Sequence, residues 1–194
     1  LYVVSKDMKT TLLDYLLKKH EGTVLVFSRT KHGARKIASS IRTMGHTAVE
    51  IHSNRSLAQR KEALAGFKSG KYRILVATDI AARGIDVTGI ALVVNYDLPD
   101  NSEDYVHRIG RTGRAGHSGL AIAFAQPDQR NDVRAIERLI RKTIRVEELP
   151  DELPAPIREA HPMRHHAAEH AMSHEQSPGH RGPRTHGYRG GSNA

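Results

Sequence analysis

Arg73-Ile-Leu-Val-Ala-Thr-Asp-Ile-Ala-Ala-Arg-Gly-Ile-Asp86 is the stretch on which the fold turns. Its first five residues, Arg73 to Ala77, read as a short strand buried on both faces, because the apolar positions run on instead of alternating. Thr78 and Asp79 follow at once. Polar groups just past a buried strand mark the edge where parallel α/β sheets collect their ligands. The same pattern recurs outward along the chain. Val24-Leu-Val-Phe27 is a second apolar run, followed by Ser28-Arg-Thr-Lys31. Thr47–Ile51, Ala91–Asn95 and Leu120–Phe124 read as further strands. Between them the period changes to that of a helix. Residues 6–20 carry Met8, Leu12, Leu13, Leu16 and Leu17 on one face, with Ser5 as the expected N-cap and Lys18, Lys19 and His20 suited to the negative C-terminal end. Helices are also expected at about 31–44, from the capping box Ser56/Gln59 to Phe67, at about 102–109 and at about 129–142. Gly22, Gly45 and Gly70 stop the first three. Strands alternating with helices predict an α/β fold: a mostly parallel central sheet with helices on both faces.

The bulk numbers bound the rest. The chain has 194 residues, 38% of them hydrophobic, which is one domain with or without a tail. It has no Cys, so disulfides, a zinc ribbon and thiol chemistry are excluded, in keeping with a cytoplasmic location. No apolar run approaches the roughly 18 residues of a membrane span. Leu1-Tyr-Val-Val-Ser-Lys6 has neither an initiator Met nor a signal-peptide layout, so a longer parent protein is expected. The net charge of +9 favours a polyanionic partner, nucleic acid before membrane. After about Ile157 the composition shifts. Residues 161–194 hold seven of the thirteen His and four Arg among many Gly, Pro and Ser. Such a segment cannot bury enough surface to offset its chain entropy and is expected to be disordered. The readings for it are a plain solvated tail or an RNA tether; the irregular His spacing argues against a specific metal site. The expected division is a domain over 1–145, a linker over 146–160 and the tail.

A second stretch, Tyr105-Val-His-Arg-Ile-Gly-Arg-Thr-Gly-Arg-Ala-Gly116, interleaves Arg108, Arg111 and Arg114 with Gly110, Gly113 and Gly116. Guanidinium keeps its charge and offers a fork of donors to phosphate oxygens. Glycine lets a ligand approach the backbone. The residues by themselves fit either a polyphosphate site or a solvated basic helix end before a Gly-rich turn.

His107-Arg-Ile-Gly-Arg-Thr-Gly-Arg114 resembles the arginine-finger motif of DEAD-box RNA helicases, in their second RecA-like domain. His107 favours that branch, since related superfamily 2 motors usually carry Gln there. Ala77-Thr-Asp-Ile-Ala-Ala-Arg-Gly-Ile-Asp86 resembles the family motif that links RNA to ATP. Two looser matches are Val24–Gly33 and Ile51–Arg60, the latter with Ser53 where Gly is usual and Leu57 where Gln is usual. The resemblance covers about residues 1–145, and its wording is similar to the bacterial RhlE-like group.

The resemblance implies a RecA-like three-layer fold and a set of roles. Arg111 and Arg114 would reach the γ-phosphate of ATP, and His107 would bond across a cleft to the N-terminal RecA-like domain. Arg108 would pair within its own domain, and Asp79 would order its loop. Gly84 and Asp86 would take the ATP ribose. Arg29, Thr30, His32, Gly33, Ser53, Arg60 and Thr78 would face RNA, with a surface helix arginine as the plainer reading of Arg60. Neither a Gly-x-x-x-x-Gly-Lys-Ser/Thr loop nor an Asp-Glu-Ala-Asp run occurs, so the phosphates and Mg²⁺ would be held mainly by the other domain and the chain alone would be inactive. The rival readings are a non-enzymatic RNA-binding fragment and a superfamily 2 motor acting on DNA. A dinucleotide-binding enzyme is set aside, because no Gly-x-Gly-x-x-Gly follows the first strand.

Overall fold

The computed structural model describes residues 1–83, 87, 89–113 and 119–157. Their elements run β1 (Tyr2–Val3), α1 (Lys9–Lys19), β2 (Val24–Phe27), α2 (Lys31–Thr43), β3 (Ala48–Ile51), α3 (Leu57–Lys68), β4 (Ile74–Ala77), α4 (Asp79–Ala82), β5 (Leu92–Asn95), α5 (Ser102–Ile109), β6 (Leu120–Ala125) and α6 (Arg130–Ile140). The sheet has the order β1-β6-β5-β2-β4-β3, and every pairing is parallel. All strands therefore end on one edge.

Side-chain alternation along the strands sorts the core into two faces. Val24 and Val26 point to the side where α1 and α2 pack, and Leu12, Leu13, Leu16 and Leu17 of α1 are buried there. Each such leucine contributes about 2 kcal/mol by leaving water. Leu25 and Phe27 point the other way, onto α3 and α4 through Ala63, Phe67, Ala81 and Ala82. Farther along that face, Tyr105 of α5 and Ile136 of α6 close on Ala123 and Ala125 of β6. The α/β expectation with helices on both faces is met.

Local differences have local causes. Ser5 does not cap α1: residues 5–8 form a turn closed by Met8 N to Ser5 O at 3.2 Å, and the helix starts at Lys9 with Met8 in the cap position and no side-chain cap bond. Strand β1 is two residues long, too short for a pattern, and exists because Tyr2 and Val3 pair with Phe124 and Ala125. The capping box of α3 forms as expected, with Ser56 Oγ accepting from Gln59 N at 3.2 Å and Gln59 Oε1 from Ser56 N at 3.0 Å. Gly22, Gly45 and Gly70 all take left-handed φ values of 84°, 88° and 80° at the helix ends. Past α6 the chain returns across the domain. Glu147 N donates to Leu1 O at 2.8 Å, Leu153 packs on the first core cluster, and Ile157 N donates to Thr11 Oγ1 at 3.0 Å.

Candidate nucleotide and nucleic-acid interface

The parallel sheet delivers five polar segments to its carboxyl edge: Ser28–Thr30 after β2, His52–Ser53 after β3, Thr78–Asp79 after β4, Asn95–Asp97 around the end of β5, and Gln126 after β6. Helix α5 then brings Arg108 back underneath them. Arg108 is the largest fully buried side chain, 1% exposed. Its Nε donates to Asp79 Oδ1 at 2.6 Å and its Nη2 to Asp79 Oδ2 at 2.7 Å. Nη1 donates to Asn95 Oδ1 at 2.9 Å and to the Asp97 carbonyl at 2.6 Å. The guanidinium lies over the Phe27 ring, 5.0 Å from its centroid. A buried charge is tolerable only when its donors are matched in this way. Arg108 is therefore an internal brace, and Asp79 orders the edge through it, as the resemblance implied for both.

The brace fixes what stands beside it. His107 is exposed, one residue before Arg108 on the same helix, and Arg111 follows one turn later, half-buried. Together with Phe27, Asp79, Arg83 and Asp104 they line a shallow cleft. Arg83 and Asp104 pair across its mouth at 2.6 Å. The backbone of Arg111 is held by Arg108 O at 3.2 Å and by Ile90 N at 3.3 Å, so the turn that presents it is ordered from both sides. Gly84, Asp86 and Arg114 lie outside the described residues, as does the segment 161–194.

On the other side of the edge, Arg29 and Thr30 sit at the start of α2. Thr30 Oγ1 accepts from Gly33 N at 3.0 Å and so caps the helix. Gly33 is required there by packing: a Cβ would stand 2.5 Å from Ser28 Oγ. His32 is exposed one residue earlier. Arg29 reaches Leu98 O through Nη2 at 3.2 Å and pairs with Asp100 at 3.3 Å. Ser53 is exposed after β3. Its neighbour His52 is buried, and its pKa is lowered by burial first and by Arg55 second, so the ring is neutral at neutral pH. Thr78 is 8% exposed and makes no cap bond to α4. Arg60 Nη2 donates to Ala81 O at 3.1 Å, tying α3 to the end of α4. Leu57 is 68% exposed and joins no part of the edge. Gln59 cannot replace the missing glutamine, because its side chain is engaged in the capping box.

Two residues that the motifs do not contain complete the arrangement. Asp97 Oδ2 accepts from Ser28 Oγ at 3.3 Å and Arg29 N at 3.2 Å, and Oδ1 accepts from the buried Lys9 Nζ at 3.0 Å. Lys9 Nζ also donates to Tyr96 O at 2.8 Å. Asp97 thus holds the β2–α2 turn with its carboxylate while its carbonyl meets Arg108. The signal for it is the one that marks Asp79, a carboxylate just past a buried strand. Nothing local marks Lys9, which reads as a helix-surface lysine until Tyr96 and Asp97 cover it.

Comparison with known proteins decides the family. The family model described as "Helicase conserved C-terminal domain" matches residues 8–116. The chain belongs to this family. A chain in the crystal structure of the E. coli DEAD-box protein SrmB, bound to regulator of ribonuclease activity A, is 33% identical; the match covers 82% of this chain and 94% of that one, with a TM-score of 0.74. A DEAD box protein from Methanococcus jannaschii is 41% identical over 77% of this chain but only 40% of its own length, with a TM-score of 0.70. The C-terminal domain of the DEAD-box protein Dbp5 is 31% identical over 77% of this chain and 88% of its own, with a TM-score of 0.69. The fold is that of a RecA-like helicase domain, and the helicase C-terminal domain of DEAD-box proteins is a motor domain. Among the described residues of this helicase domain, no group of three His, Asp or Glu stands together as a metal site, and no helix is long and apolar enough to cross a membrane.

Proposed function

We propose that the chain is the second motor domain of an ATP-dependent DEAD-box RNA helicase, of the bacterial RhlE-like group, working in the cytoplasm with an N-terminal RecA-like domain of the same protein. One observation carries this reading: Arg108 is consumed by Asp79, Asn95 and Asp97, and His107 and Arg111 line the cleft beside it. An arginine buried for support beside groups turned toward a cleft is the arrangement an arginine finger needs. In the reaction, Arg111 and Arg114 supply fixed positive charge to the γ-phosphate as charge develops there. His107 bonds to the other domain across the cleft. Gly84 and Asp86 take the ribose, a role suited to a carboxylate that accepts hydroxyl protons. Mg²⁺, where bound, would supply charge neutralisation to the phosphates and would be held mainly by residues of the other domain.

Arg29, Thr30, His32, Gly33, Ser53, Arg60 and Thr78 form the RNA face. The N-terminus of α2 offers free N–H groups to a phosphate, and Gly33 lets the strand come close. ATP and RNA draw the two domains together, bend one RNA strand and open a short duplex; hydrolysis releases the clamp. The division proposed is a domain over 1–145, a linker over 146–160 and a basic tail over 161–194.

The test is RNA-stimulated ATP hydrolysis in three samples: this chain alone, this chain fused behind a DEAD-box first domain, and that fusion carrying Arg114→Ala. The expected result is no activity, activity, and a loss of about 100-fold or more. A fusion that folds and binds RNA yet hydrolyses no ATP would overturn the motor reading in favour of a non-enzymatic RNA-binding fragment. Equal stimulation by DNA and RNA would favour a DNA-directed motor.

A further inference from the structure

Helix α6 carries Arg130, Arg134 and Arg138 at every fourth position, and Arg141 and Lys142 at its end. At 3.6 residues per turn the three arginines fall within an arc of about 80°. All five cations are exposed. Among the described residues none of the five side chains makes an ion pair. Of the acids of the same helix, Asp132 lies on the opposite side and accepts from Gln129 Nε2 at 3.2 Å, whereas Glu137 borders the arginines but turns Oε1 to Ile144 N at 2.9 Å. A solvated helix face ordinarily mixes signs, because like charges four residues apart oppose the helix. Here five cations border a single carboxylate, Glu137, and none of them pairs with it.

We propose that this face of α6 is a second RNA-binding surface, taking the phosphate backbone of the RNA outside the motif-lined edge. It rests on the reading of the chain as an RNA helicase domain. The face is suitably placed. β6 ends at the carboxyl edge with Ala125, so Arg130 begins near that edge, and the stripe runs away from it for the length of the helix, about 16 Å. Val133, Ile136 and Ile140 fix α6 to Tyr105 and Ile109 of α5, the helix that bears His107 and Arg108. A strand leaving the edge therefore meets arginines on a rigid neighbour of the motor's own helix. Arginine rather than lysine suits this ligand, since its fork grips phosphate oxygens without reading sequence. A membrane fits poorly. An interfacial helix inserts its apolar side, and the apolar side of α6 is occupied by the core, with only Leu139 left exposed.

The experiment uses the full 194-residue chain, so that the tail is the same in every sample. The probe is a fluorescently labelled RNA hairpin with a single-stranded flank of roughly 10 nucleotides. Its affinity is followed by anisotropy between about 50 and 200 mM salt. Arg130→Gln/Arg134→Gln/Arg138→Gln should weaken binding about tenfold or more at the low end. It should also reduce the slope of log affinity against log salt by about 2. Lys6→Gln/Lys19→Gln/Lys71→Gln removes the same charge elsewhere and should change the slope by less than about 0.5. An unchanged affinity and slope in the arginine variant, with its thermal melt unaltered, overturns the surface and leaves the motor reading intact. An equal effect in the lysine variant overturns it too, by reducing it to net charge. Binding to phosphatidylserine vesicles without binding to RNA would assign the face to a membrane. Absence of RNA binding by the unaltered chain also overturns it, whereas the motor reading stands or falls separately on the fused ATPase.

Discussion

Arg108 and Asp79 meet as a two-point ion pair, Nε to Oδ1 at 2.6 Å and Nη2 to Oδ2 at 2.7 Å, although 29 residues separate them in the chain. The pair locks α5 to the end of β4, and so fixes where the segment after Arg108 can stand. Arg108→Met keeps the bulk but strands Asp79, Asn95 and the Asp97 carbonyl. We expect a loss of about 3–5 kcal/mol in unfolding free energy. Guanidinium melts measure it, and a change under about 1 kcal/mol would show the brace to be dispensable.

Gly33 is tested by its neighbour. Alanine there drives a Cβ to 2.5 Å from Ser28 Oγ and should cost about 1–3 kcal/mol. Removing the hydroxyl in Gly33→Ala/Ser28→Ala leaves Thr30 Oγ1 at 3.1 Å and Ser28 Cβ at 3.8 Å as the nearest atoms. The double variant should therefore recover at least about 0.5 kcal/mol relative to the sum of the singles. Strict additivity in the same melts would place the glycine requirement elsewhere.

Glu50 predicts a pH dependence. It is 4% exposed, and burial alone would raise its carboxyl, but hydrogen bonds from Arg42, at 2.8 Å, and from Arg55 outweigh burial and hold its pKa below the usual glutamate range. A folded pKa below the unfolded one stabilises above the unfolded pKa, and that contribution is lost as pH falls through the folded pKa. Glu50→Gln should thus be less stable than the parent at pH 7, with the gap closing on acidification below the glutamate range. Melts across that range measure it; a gap that stays constant would remove the carboxylate from the account.

Arg60 separates the RNA role from the structural one. Its bond to Ala81 O is one hydrogen bond at a half-exposed site. Arg60→Gln should cost about 1 kcal/mol of stability at most, yet weaken RNA binding by the fused protein about tenfold and lower its salt slope by about 0.7. A stability loss without an RNA effect would make Arg60 a tie between α3 and α4 and nothing more.

Several of these features were legible beforehand. The capping box at Ser56 and Gln59 is local chemistry, and it formed where the residues place it. The buried runs Val24–Phe27 and Ile74–Ala77 are strands because continuous apolar character suits only a strand covered on both faces. The start of α1 was not legible. Ser5 is a good cap by type, but residues 5–8 close a turn before the helix begins, and Lys9 is drawn to Tyr96 and Asp97 across the sheet edge.

The sequence by itself determined the alternation of strands and helices, the edge at which polar groups collect, and the helicase motifs, since each depends on residues close together in the chain. Only the tertiary structure showed what holds the structural arginine that the motif implied: Arg108 is buried because Phe27, Asp79, Asn95 and Asp97 converge on it from the ends of β2, β4 and β5. It also decided that Asp97 belongs to the site and that the arginines of α6 share an unpaired outer face. Those facts depend on which segments become neighbours, and a charged group is stable in a core, or left unmatched outside it, only according to what packing brings within reach of it.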